Sequence, residues 1–226
     1  MNIKLSNKTS ILLKIYLLVS ILNVSFVAQA QTILQPNFGQ KTHETLDIES
    51  IETTNQYTII SLSIVNKING GTFCADKNIY IKNSSGYEMY QIIKSEGIPQ
   101  CPKAHQFKSI DEKLSFKLYF PKISEKIMYL DLIENCDNAC FSMKGIILSN
   151  SLNDNINEAY RLYAVNEKKR AAESLENLIY QTKDYPYAFL YFAAIKIWQE
   201  LGESNKFTEL RDNLFRSNKI DKNLLH

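Results

Sequence analysis

The chain has 226 residues, 45% of them hydrophobic and 22% charged, a balance that excludes a disordered chain and leaves room for one or two folded domains. The formal net charge is +2, but Lys4, Lys8 and Lys14 stand in the first thirty residues, which hold no acid. Beyond them acids slightly outnumber bases, so the positive excess needed for binding driven by phosphate counterion release is missing. Nucleic acid is not an expected partner.

Residues 1–30 read as a signal peptide. MNIKLSNKTS is positive, ILLKIYLLVSILNVSFV is apolar, and Ala28-Gln29-Ala30 places small residues where a signal peptidase requires them. The uncharged run Ile15 to Val27 is shorter than the roughly 18 to 20 residues that span a bilayer. No later segment is long and apolar enough to do so. The expected mature chain begins at Gln31 and is exported, to the periplasm or the exterior of a Gram-negative bacterium. Residues 31–42 are polar and unpatterned, and read as a flexible lead-in.

Residues 43–150 carry strand signals. Leu46, Ile48 and the residues near Ile51 suggest a first strand, and Thr58, Ile60, Leu62 and Ile64 alternate through a second. NIYIK and YEMYQII flank Asn83-Ser84-Ser85-Gly86, the pattern of a hairpin with a loop of about four residues. Leu114, Phe116, Leu118 and Phe120 alternate with mostly polar neighbours, and Met128, Leu130 and Leu132 repeat the period. This pair is expected to fold back around Pro121 to Lys126 as neighbours in one sheet, with a final strand over Met143 to Leu148. Six of seven glycines and four of five prolines precede residue 150, so turns are frequent there. The expected architecture is an antiparallel β-sandwich.

From residue 151 to 226 the period becomes helical. Ile156, Ala159, Tyr160 and Tyr163 share one face, and Ala171, Ala172, Leu175, Leu178 and Ile179 another. Pro186 to Leu201 is apolar on nearly every face and should be a helix covered on two sides. Phe207, Leu210, Leu214 and Phe215 mark a last amphipathic helix. Ser149 to Asn153 suits a short linker between the two halves. The fold class is thus α+β, a sandwich followed by a small all-α domain of helical hairpins.

AYRLY, KRAAESLENLI, AFLYFAAIKIWQELG and KFTELRDNL together resemble about two tetratricopeptide-type hairpins, with Asn166 where a glycine is usual. Such units need further repeats or another surface to stack on, and the β-domain could serve. The stretches NKINGGTFCADKNIYIKNSSG, KSEGIP, EKLSFKLYFP and YLDLIENCDNACF resemble an exported bacterial β-domain of uncharacterised function. That resemblance implies fold and export, and no chemistry.

In an exported chain Cys74, Cys101, Cys136 and Cys140 are first of all candidates for two disulfides, with Cys74–Cys101 and Cys136–Cys140 the favoured pairing among three. The alternative joins Cys101, His105, Cys136 and Cys140 as a zinc set, or makes the cysteines a redox site. No Walker loop, G-x-G-x-x-G, H-E-x-x-H or G-x-S-x-G is present, so no catalytic, cofactor-binding or metal-ligating residue is assigned. Tyr160, Tyr163, Tyr187 and Trp198 form a possible partner surface, although their helical spacing equally suits a core. Lys168-Lys169-Arg170 reads as a solvated helix face among acids. The expected function is a non-catalytic binding or assembly module with a protein partner; the alternative is an envelope enzyme or carbohydrate binder using loops of the sandwich.

Overall fold

The computed structural model describes residues 31–185 and 187–216. The expected signal peptide, Pro186 and the last ten residues, His226 among them, lie outside the described residues. The described residues are α+β, with twelve strands in three antiparallel sheets followed by four helices. No described helix is long and apolar enough to cross a membrane.

The strands are β1 (Gln31–Leu34), β2 (Gln40–Lys41), β3 (Leu46–Thr53), β4 (Tyr57–Val65), β5 (Thr72–Phe73) and β6 (Ile79–Asn83). They continue with β7 (Met89–Gln91), β8 (Lys94–Glu96), β9 (His105–Gln106), β10 (Lys113–Pro121), β11 (Tyr129–Glu134) and β12 (Ser142–Ile147). One five-stranded sheet runs β1-β3-β4-β10-β8, the other β2-β12-β11-β6-β7, and β5 pairs with β9 alone. Alternation explains the central strands. In β10, Phe116, Leu118 and Phe120 are buried while Ser115 and Lys117 are exposed, so one face meets a core and the other water. Ile60 and Leu62 of β4, Leu118 of β10, Ile79 and Ile81 of β6, and Leu130 and Leu132 of β11 fall in one apolar cluster. Both five-stranded sheets therefore feed the same core.

Three expectations are corrected. The strands on either side of Pro121 are not neighbours: β10 pairs with β4 and β8, whereas β11 pairs with β12 and β6. The flexible lead-in over residues 31–42 instead carries β1, paired with β3 from Gln31 opposite Thr53, and β2, paired with β12. Ser149 to Asn153 is no linker. Ser149 caps the first helix, its hydroxyl accepting the Leu152 N–H, one of the donors a helix start leaves unpaired.

The helices are α1 (Asn150–Ala164), α2 (Lys168–Gln181), α3 (Ala188–Glu200) and α4 (Ser204–Arg216). Each packs on the next, so α3 lies between α2 and α4 and is covered on two sides. Asn166 takes the left-handed conformation (φ 65°) between α1 and α2, a role that asparagine tolerates better than most residues. The helical core includes Ile147 of β12, with Tyr129 of β11 packed against it. The second sheet is thus covered on its outer face by helices, which is why Leu130, Asp131 and Leu132 are buried in succession.

Candidate functional site

A cleft of about 640 Å³ opens where the strands meet the helices. One wall is the strap Gln35–Gly39 between β1 and β2, which crosses from one sheet to the other. The chain leaves β1 through Gln35, held left-handed (φ 43°) with its N–H donating to the Glu49 carbonyl. Asn37 is fixed from three sides. Its N–H and its side-chain amide both donate to Asn153 Oδ1, at 2.7 and 3.1 Å, and its carbonyl accepts the Ile147 N–H. Gly39 N–H donates to the Lys144 carbonyl at 2.9 Å. A Cβ at Gly39 would stand 3.3 Å from that oxygen and 3.4 Å from the Tyr187 ring, so a glycine lets the strap lie flat on β12.

Asn153 explains the strap. It sits one turn into α1, is buried, and uses its amide to donate to the carbonyls of Ile147 and Ser149 while its oxygen receives Asn37. One side chain ties the strap, β12 and α1 together, and all its capacity is satisfied inside the protein.

The cleft floor is charged. A bulge inserts Glu49 between Ile48 and Ser50 of β3, opposite the Leu62–Ser61 step of β4. Glu49 accepts from Lys113 Nζ at 2.8 Å, and Asp47 from Lys41 Nζ at 2.7 Å. The Lys113 hydrogen bond holds Glu49 below the usual carboxylate range, against the opposing effect of burial, with Ser63 assisting. Lys41 also lies 5.6 Å from the Phe38 ring centre. The opposite wall is Tyr160 of α1 and Phe189 of α3. Tyr160 is 40% exposed overall, yet burial of its hydroxyl raises its pKa. The cleft offers the Glu49–Lys113 pair, Asp47 neutralised by Lys41 from outside the lining, and two rings, an arrangement suited to binding.

The four residues expected as a partner surface separate. Tyr160 lines the cleft. Tyr163, half-buried against the helical core, donates to Glu200, which also pairs with Lys168 at 3.0 Å. Tyr187 and Trp198 are 1% and 3% exposed and belong to the core, as their helical spacing allows. Tyr187 packs edge-on or tilted in a run of rings with Tyr129, Tyr185 and Phe189, at centre distances of 4.9 to 5.9 Å. Burial pushes the Tyr185 hydroxyl up to about 12, with the Asp131 charge adding to it, and raises Tyr187 further. This run forms the seam between the sheet and the helices.

The cysteines are paired as Cys74–Cys101 and Cys136–Cys140, with Cα atoms 5.3 and 5.6 Å apart. His105 lies 3.1 Å from Glu112 and edge-on to Phe107. Among the described residues no cluster of three His, Cys, Asp or Glu side chains could hold a metal ion. Sequence reasoning missed Asn37, Asp47, Glu49, Lys113 and Phe189 as cleft residues. The two acids on alternate positions of β3 were visible, but not the strap and helices that turn them into a floor.

No known protein-family model matches the chain, and neither a characterised protein nor a solved structure shows significant similarity to it.

Proposed function

We propose that this chain is an exported, non-catalytic binding or assembly module that holds an extended segment of another protein in the cleft beneath the strap. The observation that carries the reading is the lining: Asp47 and the Glu49–Lys113 pair from the strands share one cleft with Tyr160 and Phe189 from the helices. A partner strand could set apolar side chains on the rings and exchange its own charges with Asp47, Glu49 and Lys113. The finer fold belongs to the same proposal: a β-sandwich, supported by the core both large sheets share, closed by tetratricopeptide-like hairpins, supported by four helices packed in sequence. Two disulfide pairs and the leader pattern of residues 1–30 support export.

A photoreactive residue at Tyr160 in the native cell tests this. One recurrent crosslinked protein, lost on Glu49→Lys with Asp47→Lys, is the expected result. Crosslinks to no protein, or to a changing background, would overturn it. The second reading, a carbohydrate site, is favoured by the same rings beside two carboxylates in a cleft of small-ligand size. A glycan array probed with wild type and Tyr160→Ala addresses it directly.

A further inference from the structure

Away from the cleft, β11 ends in Glu134, whose carboxyl is buried. Oε1 accepts the Asp76 N–H at 2.8 Å and Oε2 the Phe141 N–H at 3.1 Å. The same Oε2 lies 4.0 Å from Cys136 Sγ. Residues 135–140 form a short loop in which Asn135, Asp137, Asn138 and Ala139 are exposed and both cysteines partly so. A disulfide reachable from solvent is therefore backed, on its inner side, by a buried carboxyl.

The other pair is set differently. Cys74 and Cys101 are 27 residues apart, and their flanks are stitched together by Ala75 N–H to Pro99 O and Cys101 N–H to Ala75 O, both 3.0 Å. Cys74 and Cys101 are partly exposed too, and Glu134 Oε1 reaches the Cys74 flank through the Asp76 N–H, but among the described residues no carboxyl hydrogen-bonds to either of these two sulfurs.

We propose that Cys136–Cys140 is a thiol–disulfide exchange site for a protein dithiol, and that Glu134 is the proton donor to the Cys136 sulfur as it leaves. In the first step a partner thiolate attacks Cys140 Sγ, a mixed disulfide forms, the Cys136–Cys140 bond breaks, and its electron pair leaves on Cys136. Glu134 protonates that sulfur. The partner's second thiolate then attacks the mixed disulfide, releasing Cys140 as a thiolate that takes a proton from solvent. The partner ends as a disulfide, having given two electrons to the pair, and Glu134 recovers the proton shed by the partner's thiol. Burial keeps Glu134 above the ordinary glutamate range, its two N–H donors oppose that, and the nearby Asp76 charge adds to it. The carboxyl can thus hold a proton at a pH where an exposed glutamate has lost it.

Glu134 also fastens the loop through Asp76 and Phe141, so the test must separate the two roles. The mature chain is treated with limiting dithiothreitol at several pH values, quenched with an alkylating agent, and the labelled cysteines are identified by peptide mass. The expected result is labelling of Cys136 and Cys140 about tenfold or more faster than of Cys74 and Cys101. Equal rates for the two pairs, a comparison needing no variant, would overturn the assignment of the site. After correction for the dithiol's own ionisation, the wild-type rate should fall as pH rises through the Glu134 titration, and Glu134→Gln should remove that fall. The same corrected profile in both proteins would leave Glu134 with a structural role and overturn the proton donor.

Discussion

The Tyr187 hydroxyl donates to the Gly145 carbonyl at 2.9 Å, inside the seam between β12 and the helices. Gly145 is the extra residue of a bulge opposite Asp131, is left-handed (φ 66°), and gives its N–H to Asp131 Oδ1 at 2.8 Å. A Cβ there would overlap the Tyr185 ring. Gly145→Ala combines backbone strain with that overlap and should cost about 2–4 kcal/mol. Tyr187→Phe loses one buried hydrogen bond and should cost about 1–2 kcal/mol. Urea denaturation measures both, and an unchanged midpoint for Gly145→Ala would refute the account of the bulge.

Asn153→Ala should be severe for an exposed-looking polar residue near a helix start. It would orphan the buried Ile147 carbonyl and the Asn37 N–H together, at about 2–3 kcal/mol. Asn153→Asp keeps the acceptor but sets a carboxylate against two carbonyls, so it should also destabilise, and less so at low pH. Amide hydrogen exchange is the sharper readout: Asn37 and Gly39 should lose protection before the central strands do.

What the sequence made legible, and what it hid, follows from how many faces each segment buries. β10 stood out because one face is apolar and the other wet, and β4 because Thr58, Ile60, Leu62 and Ile64 are buried in alternation with mostly half-buried neighbours, so period two survives in the residues. β1 buries Ile33 alone, and a four-residue edge strand with one inward side chain leaves no period to read. β11 misled in the opposite sense. Its Leu130 and Leu132 announced a strand, but the burial of Asp131 and half-burial of Tyr129 depend on helices that arrive much later in the chain. Nothing in the alternation of two strands says whether the link between them turns back or crosses to another sheet. The cysteine pairing was favoured from their places in the chain and is what the structure holds. The cleft joins positions from Asn37 to Phe189, and no local pattern marks such a meeting.

Removing the two disulfides should have unequal effects. In the loop-entropy view, losing Cys74–Cys101 costs about 3.5 kcal/mol and losing Cys136–Cys140 about 2 kcal/mol. Paired Cys→Ala variants test this by thermal melting. The first should lower the melting temperature more, and the reverse order would mean that the small loop is holding β11 to β12 through Glu134 rather than merely decorating their ends.

Glu134 gives a signed pH prediction for stability. Its folded pKa is raised above the ordinary 4.5, so between that value and its folded value the native state keeps a proton the unfolded chain has released. Stability then falls with rising pH across that interval, and a constant deficit remains above it. Glu49, Glu112 and Glu200 are shifted the other way by their Lys113, Lys108 N–H and Lys168 donors, so they add stability above 4.5 and lose it as pH falls through their lower folded values. The raw pH curve mixes these effects, whereas the difference between wild type and Glu134→Gln isolates one group. That difference should be flat in acid and should move in favour of the glutamine protein as pH rises through the Glu134 titration. Movement in favour of wild type would show that the Asp76 and Phe141 N–H groups stabilise the carboxylate more than burial penalises it, which would also deprive the Cys136 sulfur of its proton donor.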